Sequence, residues 1–182
     1  MQRLDAKQTA SCLPYLQVVD ELDRLLKCDD LGHATVPERQ VLQLPFDGSL
    51  LLMPAFDHDI AIIKLATVHS NNDPSERPAV QADLFITRVS NGERLLHLDG
   101  SVVTAIRTAA LSMLAIRSFG KPIRRSPLII GSGVQARSHL IALHDIFKID
   151  HAYLSSRNRS TADSLRQELA PLGIEIEWTD DP

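Results

Sequence analysis

Ser126-Pro127-Leu128-Ile129-Ile130-Gly131-Ser132-Gly133-Val134-Gln135-Ala136 sets a short apolar run against two glycines, and a stretch with helical periodicity follows at once. A strand that enters a glycine turn and leaves as a helix gives backbone room for a pyrophosphate. It also aims the free N–H groups and the positive dipole end of the helix at that phosphate. The chain downstream keeps the same rhythm. A helix is expected from Val134 to about Phe147, then a strand HAYLSS, a helix TADSLRQELAPL capped by Ser160 with Asp163, and a strand IEIEW. Alternation of this kind, β-α-β-α-β, predicts the first half of a doubly wound parallel sheet, the Rossmann arrangement. A plain glycine turn without ligand is the competing reading.

Which dinucleotide such a turn would hold is read some twenty residues on, at the end of the second strand. NAD sites usually place a carboxylate there. This chain has Ser155-Ser156-Arg157-Asn158-Arg159 instead, with two guanidiniums, small hydroxyls and no acid. That set fits a 2′-phosphate and favours NADPH, with NADH also possible. Solvated loop arginines are the alternative.

Upstream of the turn the pattern differs. Leu13 to Lys27 reads as an amphipathic helix with Leu13, Leu16, Val19, Leu22 and Leu26 on one face. The runs VLQLPF, SLLLMPAF, IAIIKLATVH, VQADLFITRV and ERLLHL then alternate with turn residues, Asp47-Gly48 and Asn91-Gly92 giving hairpin signals. A long helix from about Ser101 to Phe119, capped by Asp99 or Ser101, ends at Gly120. The expected division is therefore an α+β domain over 1–120 and a partial dinucleotide-binding domain over 121–182, joined through KPIRRSP.

Composition narrows the classes. The 182 residues are 44% hydrophobic and 23% charged, with a formal net charge of −4, which leaves no nucleic-acid footprint. Met1–Asp5 lacks a charged-then-apolar leader, and no apolar run reads as long enough to cross a bilayer; a cytoplasmic location is expected. Cys12 and Cys28 lie in or beside one expected helix and read as free thiols, and the histidines His69, His97, His139, His144 and His151 show no metal-ligand spacing. No metal is expected. Charge is unevenly placed. From Ser101 to His144 there is no acid but there are six cations, Arg107, Arg117, Lys121, Arg124, Arg125 and Arg137, so the rest of the chain carries 13 − 23 = −10. A basic stretch in an acidic chain points to a local anion or to a solvated basic helix and linker.

Arg107 stands out within VVTAIRTAALSMLAI, a run so apolar that most of the helix surface is expected to be buried. Val103, Thr104, Ala110 and Leu111 are its helical neighbours, so no carboxylate of its own helix can pair with it. A buried guanidinium would need a carboxylate from elsewhere in the chain or an anionic ligand. Lys64 interrupts IAIIKLATV in the same way, pointing either to solvent or into a site.

Together these stretches resemble the ornithine cyclodeaminase/μ-crystallin family across nearly the whole chain. The resemblance is carried by Val36-Pro37-Glu38-Arg39, Leu52-Met53-Pro54-Ala55, Lys64 within IIKLATVH, Asn72, Pro78-Ala79-Val80-Gln81, Leu98-Asp99-Gly100, Thr104-Ala105-Ile106-Arg107-Thr108-Ala109-Ala110 and GSGVQA. The opening LDAKQTASCLPY with LLHLDGSVVTA is most similar to the bacterial branch that reduces Δ1-pyrroline-2-carboxylate and Δ1-piperideine-2-carboxylate.

The resemblance implies that the first domain holds the substrate site and the dimer interface of a homodimer. It implies that Arg39 and Arg107 hold the carboxylate of a small cyclic imino acid, with Lys64 as the catalytic group beside the imine. It also implies that Asn72, Arg107, Gly131, Ser132, Gly133, Val134, Gln135, Ser156, Arg157, Asn158 and Arg159 bind the dinucleotide. The implied reaction is hydride transfer from NADPH to the C=N bond, giving L-proline or L-pipecolate. The alternatives are an ornithine cyclodeaminase using NAD and a truncated dinucleotide-binding remnant without turnover. Ala82 stands where relatives usually have glycine, and the loop after Asn72 lacks its usual glycine. The chain stops just after its third Rossmann strand, which reads as a truncation that leaves the first strand an exposed edge.

Overall fold

The computed structural model describes residues 1–28, 34–73, 76–120 and 126–179. Pro74 and most of KPIRRSP, including Lys121, Arg124 and Arg125, lie outside the described residues. The elements run β1 (Gln2–Arg3), α1 (Ala6–Ser11), α2 (Tyr15–Lys27), β2 (Gln40–Leu44), β3 (Gly48–Phe56), β4 (Ile60–His69), β5 (Val80–Arg88), β6 (Arg94–Asp99), α3 (Gly100–Ser118), β7 (Leu128–Ile130), α4 (Val134–Phe147), β8 (His151–Ser155), α5 (Arg159–Leu169), a 3₁₀ turn (Ala170–Leu172) and β9 (Glu175–Trp178). The fold is mixed α/β, as expected. Packing divides the chain into two compact units, Met1–Leu13 with Leu25–Thr104, and Pro14–Arg24 with Ala105–Pro182. The division thus falls inside α3, whereas the sequence pattern placed it at residue 120.

The first unit is built on a six-stranded sheet in the order β1-β6-β5-β4-β3-β2. The strands β2 to β6 form an antiparallel meander, and β1 lies parallel to β6. The hairpin between β2 and β3 turns one residue earlier than Asp47-Gly48 suggested: Phe46 and Asp47 take positive φ, and Gly48 is already paired with Leu44. The sequence pattern did not reveal β1 and α1. Their signal was Asp5-x-x-Gln8, a reciprocal cap in which Gln8 N donates to Asp5 Oδ1 at 2.8 Å and Asp5 N donates to Gln8 Oε1 at 3.0 Å. Cys12 closes α1 and Cys28 follows α2, so the two thiols flank different helices; both are exposed and free.

Leu98-Asp99-Gly100-Ser101 makes the corner from β6 into α3. Asp99 accepts from Val102 N at 2.9 Å and so caps the helix, while its own N–H donates to the buried Thr9 hydroxyl. Ser101 Oγ accepts from Ala82 N. A side chain at Gly100 would meet the backbone of Ala82 and Asp83 at 2.9 Å, so only glycine lets the helix start this close to β5.

The second unit carries a parallel sheet in the order β7-β8-β9, with β7 at an edge. One core cluster joins Ala136 and Leu140 of α4 to Ala152 and Leu154 of β8, Leu165 and Leu169 of α5, and Ile174 and Ile176. A second joins Val19 of α2, Ala109, Ala110, Met113 and Leu114 of α3, and Ala142 and Leu143 of α4. Helix α4 is therefore covered on two sides. Tyr15 docks α2 onto it through a 2.7 Å hydroxyl pair with Ser138, whose Oγ also donates to Ala105 O.

Helix α3 corrects two expectations. At 19 residues and a mean hydropathy of 1.2 it does reach the length and apolarity of a bilayer span, alone among the described residues. It is nevertheless packed into protein along Ala105, Ile106, Ala109, Ala110, Met113 and Leu114 and carries Arg107 and Arg117. Second, the buried stripe leaves the opposite face open: Arg107, Leu111 and Ala115 recur every four residues and are exposed. Arg107 is not a buried guanidinium.

Candidate functional site

The glycine turn after β7 has the geometry its sequence implied. Gly131 takes φ +102°, a region closed to side chains with a Cβ, and its N–H donates to Ser155 O at 2.7 Å, tying the turn to the end of β8. Gly133 stands in extended backbone as the N-cap of α4 and offers no side-chain acceptor to the helix. A Cβ at either glycine would meet nothing within 4 Å, so the space beside the turn is open to a ligand. The first N–H groups of α4, next to exposed Val134 and Gln135, therefore have no acceptor from the cap.

Helix α5 is treated differently. Asn158, not the expected Ser160, is its N-cap, its Oδ1 accepting from Ser160 N at 3.0 Å and Thr161 N at 3.4 Å. An asparagine two residues upstream fills the role more directly, and α5 consequently begins at Arg159. One helix is closed by its own side chain, and the other is left open to an anion.

Between them lies a cluster of hydroxyls. Ser132 Oγ sits 2.9 Å from Ser156 Oγ and 2.6 Å from Thr161 Oγ1. A cavity of about 360 Å³ opens here, lined by Ser132, Gly133, Val134 and Thr161 and by the ion pair Arg137–Glu168. Arg157 is exposed and has no partner among the described residues, whereas Arg159 rests over the Trp178 ring. The carboxylate expected of an NAD site is indeed missing from 155–159. Thr161 and Trp178 escaped sequence reasoning. The spacing Asn158-x-x-Thr161 could have drawn Thr161 in, whereas Trp178 becomes visible only through the β8–β9 register.

The basic stretch separates into two kinds of residue. Arg117 bonds Asp20 at 2.6 Å and lies 3.6 Å from Asp23, and Arg137 bonds Glu168, so both serve packing. Arg107 has no partner among the described residues and remains available to an anion.

In the first unit, Lys64 does not point to solvent. It is half-buried on the sheet face shared with Met53 and Leu84, and its Nζ donates to Thr104 Oγ1 at 3.3 Å; that hydroxyl donates in turn to Gly100 O at 2.7 Å. Thr104 thus fixes the ammonium, a role the sequence did not assign to it. Arg39 is exposed immediately before β2. The first residue of β2, Gln40, pairs with Leu52, one position from the Met53 that lies opposite Lys64. Asn72 donates from Nδ2 to Pro78 O at 3.1 Å and so closes its own loop.

The profile of the ornithine cyclodeaminase/mu-crystallin family matches residues 6–182. This chain belongs to that family. Over 144 residues it is 35% identical to Delta(1)-pyrroline-2-carboxylate reductase 1 of Burkholderia multivorans, a match covering 79% of this chain and 46% of the relative. It is 34% identical over 135 residues to the ketimine reductase mu-crystallin of Mus musculus, covering 72% of this chain and 43% of the relative. Among solved structures, the Delta(1)-pyrroline-2-carboxylate reductase of Thermococcus litoralis in complex with NADH and L-proline superposes with a TM-score of 0.86 at 26% identity, over 98% of this chain and 57% of that one. This family member spans about half the length of the curated relatives it matches.

Proposed function

We propose that this chain binds NADPH and reduces a cyclic ketimine, Δ1-pyrroline-2-carboxylate or Δ1-piperideine-2-carboxylate, to L-proline or L-pipecolate. The observation that carries the reading is the uncapped N-terminus of α4 behind a φ +102° glycine, followed at the end of β8 by hydroxyls and Arg157 in place of an acid. Likeness to the Burkholderia multivorans reductase and to mu-crystallin supports the substrate class.

In this reading Gly131, Ser132, Gly133, Val134 and Gln135 hold the pyrophosphate. Ser156, Arg157, Asn158 and Arg159 face the adenosine, with Asn72 and Arg107 also on the cofactor's side. When bound, the reduced nicotinamide supplies the hydride that adds to the imine carbon. Arg39 and Arg107 orient the substrate carboxylate by charge-assisted hydrogen bonds. Lys64, steadied by Thr104, gives a proton from Nζ to the imine nitrogen as the C=N bond becomes C–N, and electrons and charge then balance. The functional division into 1–120 for substrate and dimerisation and 121–182 for the dinucleotide is part of the same proposal, as is a cytoplasmic homodimer. The pairing surface would be the apolar strand residues that the first unit leaves uncovered on one sheet face, among them Leu42, Phe56 and Ile63, 49%, 46% and 37% exposed.

The test is NADPH oxidation followed at 340 nm with Δ1-piperideine-2-carboxylate. Turnover is expected, and Arg107→Ala abolishes it. A folded chain without turnover would limit the function to dinucleotide binding.

A further inference from the structure

Helices α3 and α4 meet through small side chains. Ala109 and Ala110 of α3 and Ala142 of α4 are fully buried in one cluster, which brings the two backbones close enough for a serine to reach across. Ser112 does so. Its Oγ lies 2.9 Å from His139 Nε2, and the other ring nitrogen, Nδ1, lies 2.7 Å from the carbonyl oxygen of Gln135, one turn back on α4. A carbonyl can only accept, so Nδ1 carries the proton. In the neutral ring Nε2 is then the acceptor, and the Ser112 hydroxyl donates to it. The other acceptor within its reach, Thr108 O, is farther, at 3.4 Å. Donation therefore runs one way, from Ser112 through His139 to Gln135. His144, on the same helix, turns its Nδ1 forward to Ile149 O instead, so the backward reach belongs to His139.

The bonded carbonyl is half of one amide group, and the N–H of Ala136 is the other half. In a helix the carbonyl points toward the C-terminus and the N–H toward the N-terminus, so this N–H emerges from the start of α4. The N-cap, Gly133, gives it no side-chain acceptor. Hydrogen bonding at the oxygen draws electron density through the amide and makes its N–H a stronger donor. Two half-buried side chains thus act, through the backbone, on a donor aimed at the glycine turn.

We propose that Ser112 and His139 are positioning residues for the anion site at the start of α4: they hold and polarise the Gln135–Ala136 amide so that its N–H grips a phosphate group. This rests on the dinucleotide reading of residues 131–136. Ser138 is the contrast. It also joins α4 to α3, donating to Ala105 O at 3.0 Å, but its bonds run to Ala105 and Tyr15 and not to that amide. One serine fastens the helices, and the other tunes the donor.

The ¹⁵N-labelled 182-residue chain is titrated with sodium pyrophosphate, which contains no ribose, adenine or nicotinamide, and the amide resonances of α4 are followed. Ala136 should respond, and Kd is read from its shift. His139→Leu should raise that Kd about threefold and move the Ala136 resonance of the unliganded chain. His139→Asn carries a donor the same number of bonds from Cα as Nδ1 and should restore most of the affinity. Ser112→Ala should raise Kd about twofold in the wild type and change nothing in the His139→Asn chain, whose side chain is too short to meet Ser112. Ser138→Ala should lower the urea midpoint and leave Kd unchanged. Unchanged Kd in His139→Leu, no recovery in His139→Asn, or an equal cost of Ser112→Ala in both backgrounds overturns the proposal. Should Ser112→Ala unfold the chain, the two His139 variants decide it alone. A wild type whose α4 amides ignore pyrophosphate overturns the dinucleotide reading itself; a response with the wrong variant pattern overturns only the roles of Ser112 and His139.

Discussion

The two sheets of this chain are finished to different degrees. Nearly every deeply buried apolar side chain belongs to the second unit, from Val19 through Met113, Leu140 and Leu154 to Ile176; Ala66 is the exception among the described residues. The first unit has the longer strands, yet Val41, Leu42, Phe56, Ile60, Ile63 and Val80 are exposed. A parallel sheet flanked by helices closes its core within one chain, because each crossover helix covers the strands it connects. A meander receives no such cover from its own short turns and relies on whatever lies against its faces. The second unit therefore owes its stability to itself, whereas the first leaves apolar strand residues in water.

The comparison breaks most sharply on core truncation. Leu154→Ala should cost about 2–5 kcal/mol in chemical denaturation, whereas Ile63→Ala in dilute protein should stay within about 0.5 kcal/mol. Equal costs would show that the meander closes its own core. Ile63→Asp should leave the unfolding midpoint of dilute protein nearly unchanged but shift sedimentation equilibrium from dimer toward monomer; an unaltered dimer would remove this face as the pairing surface.

Lys64→Ala tests the half-open sheet as a working surface. Turnover at 340 nm should fall about a hundredfold, the usual scale for losing a general acid, with the affinity for 2′,5′-ADP unaffected. A parallel loss of nucleotide affinity would mean that the lysine is not confined to the substrate side.

Smaller effects sharpen the contrast. Burial pushes the Tyr15 phenol above its usual range, opposed by its bond to Ser138. With the folded value above the unfolded one, the stability it contributes is intact below about pH 10 and is lost as pH rises through the folded value. Tyr15→Phe should cost about 1 kcal/mol near neutrality and flatten the alkaline decline of the urea midpoint. In the first unit, the N–H groups of Ile60 and Asp59, each 2.8 Å from Asp57 Oδ1, hold that carboxyl below the ordinary range. Its contribution is present above about pH 4 and falls away as pH drops through the folded value. Asp57→Asn should remove that acid-side slope in the melting temperature, a slight change because the carboxyl lies at the protein surface.

Strands, turns and the β-α-β-α-β order were legible in the sequence because alternation and glycine punctuation are local signals. What failed was anything set by distant partners. The apolar run of α3 suggested burial for Arg107, but two buried stripes meeting on one side of a helix raise its hydropathy and still leave a third face in water. Arg117 and Asp20 lie 97 residues apart and Arg137 and Glu168 lie 31 apart, so nothing in the sequence distinguished these structural pairs from ligand-binding cations. Lys64 was undecided for the same reason, since Thr104 reaches it from 40 residues away. The glycine fingerprint was legible as a turn, while the competition between Asn158 and Ser160 for the cap of α5 was settled only by backbone geometry.

The missing acceptor at the start of α4 also sets a clock. Amides without a hydrogen-bond partner trade their protons with water quickly, whereas those held by Asn158 at the start of α5 open only when the turn itself opens. The two helix starts, one capped by a side chain and the other not, should therefore take up deuterium at different rates in the unliganded chain. An anion settling at Gly133 should slow the faster of them to match its neighbour.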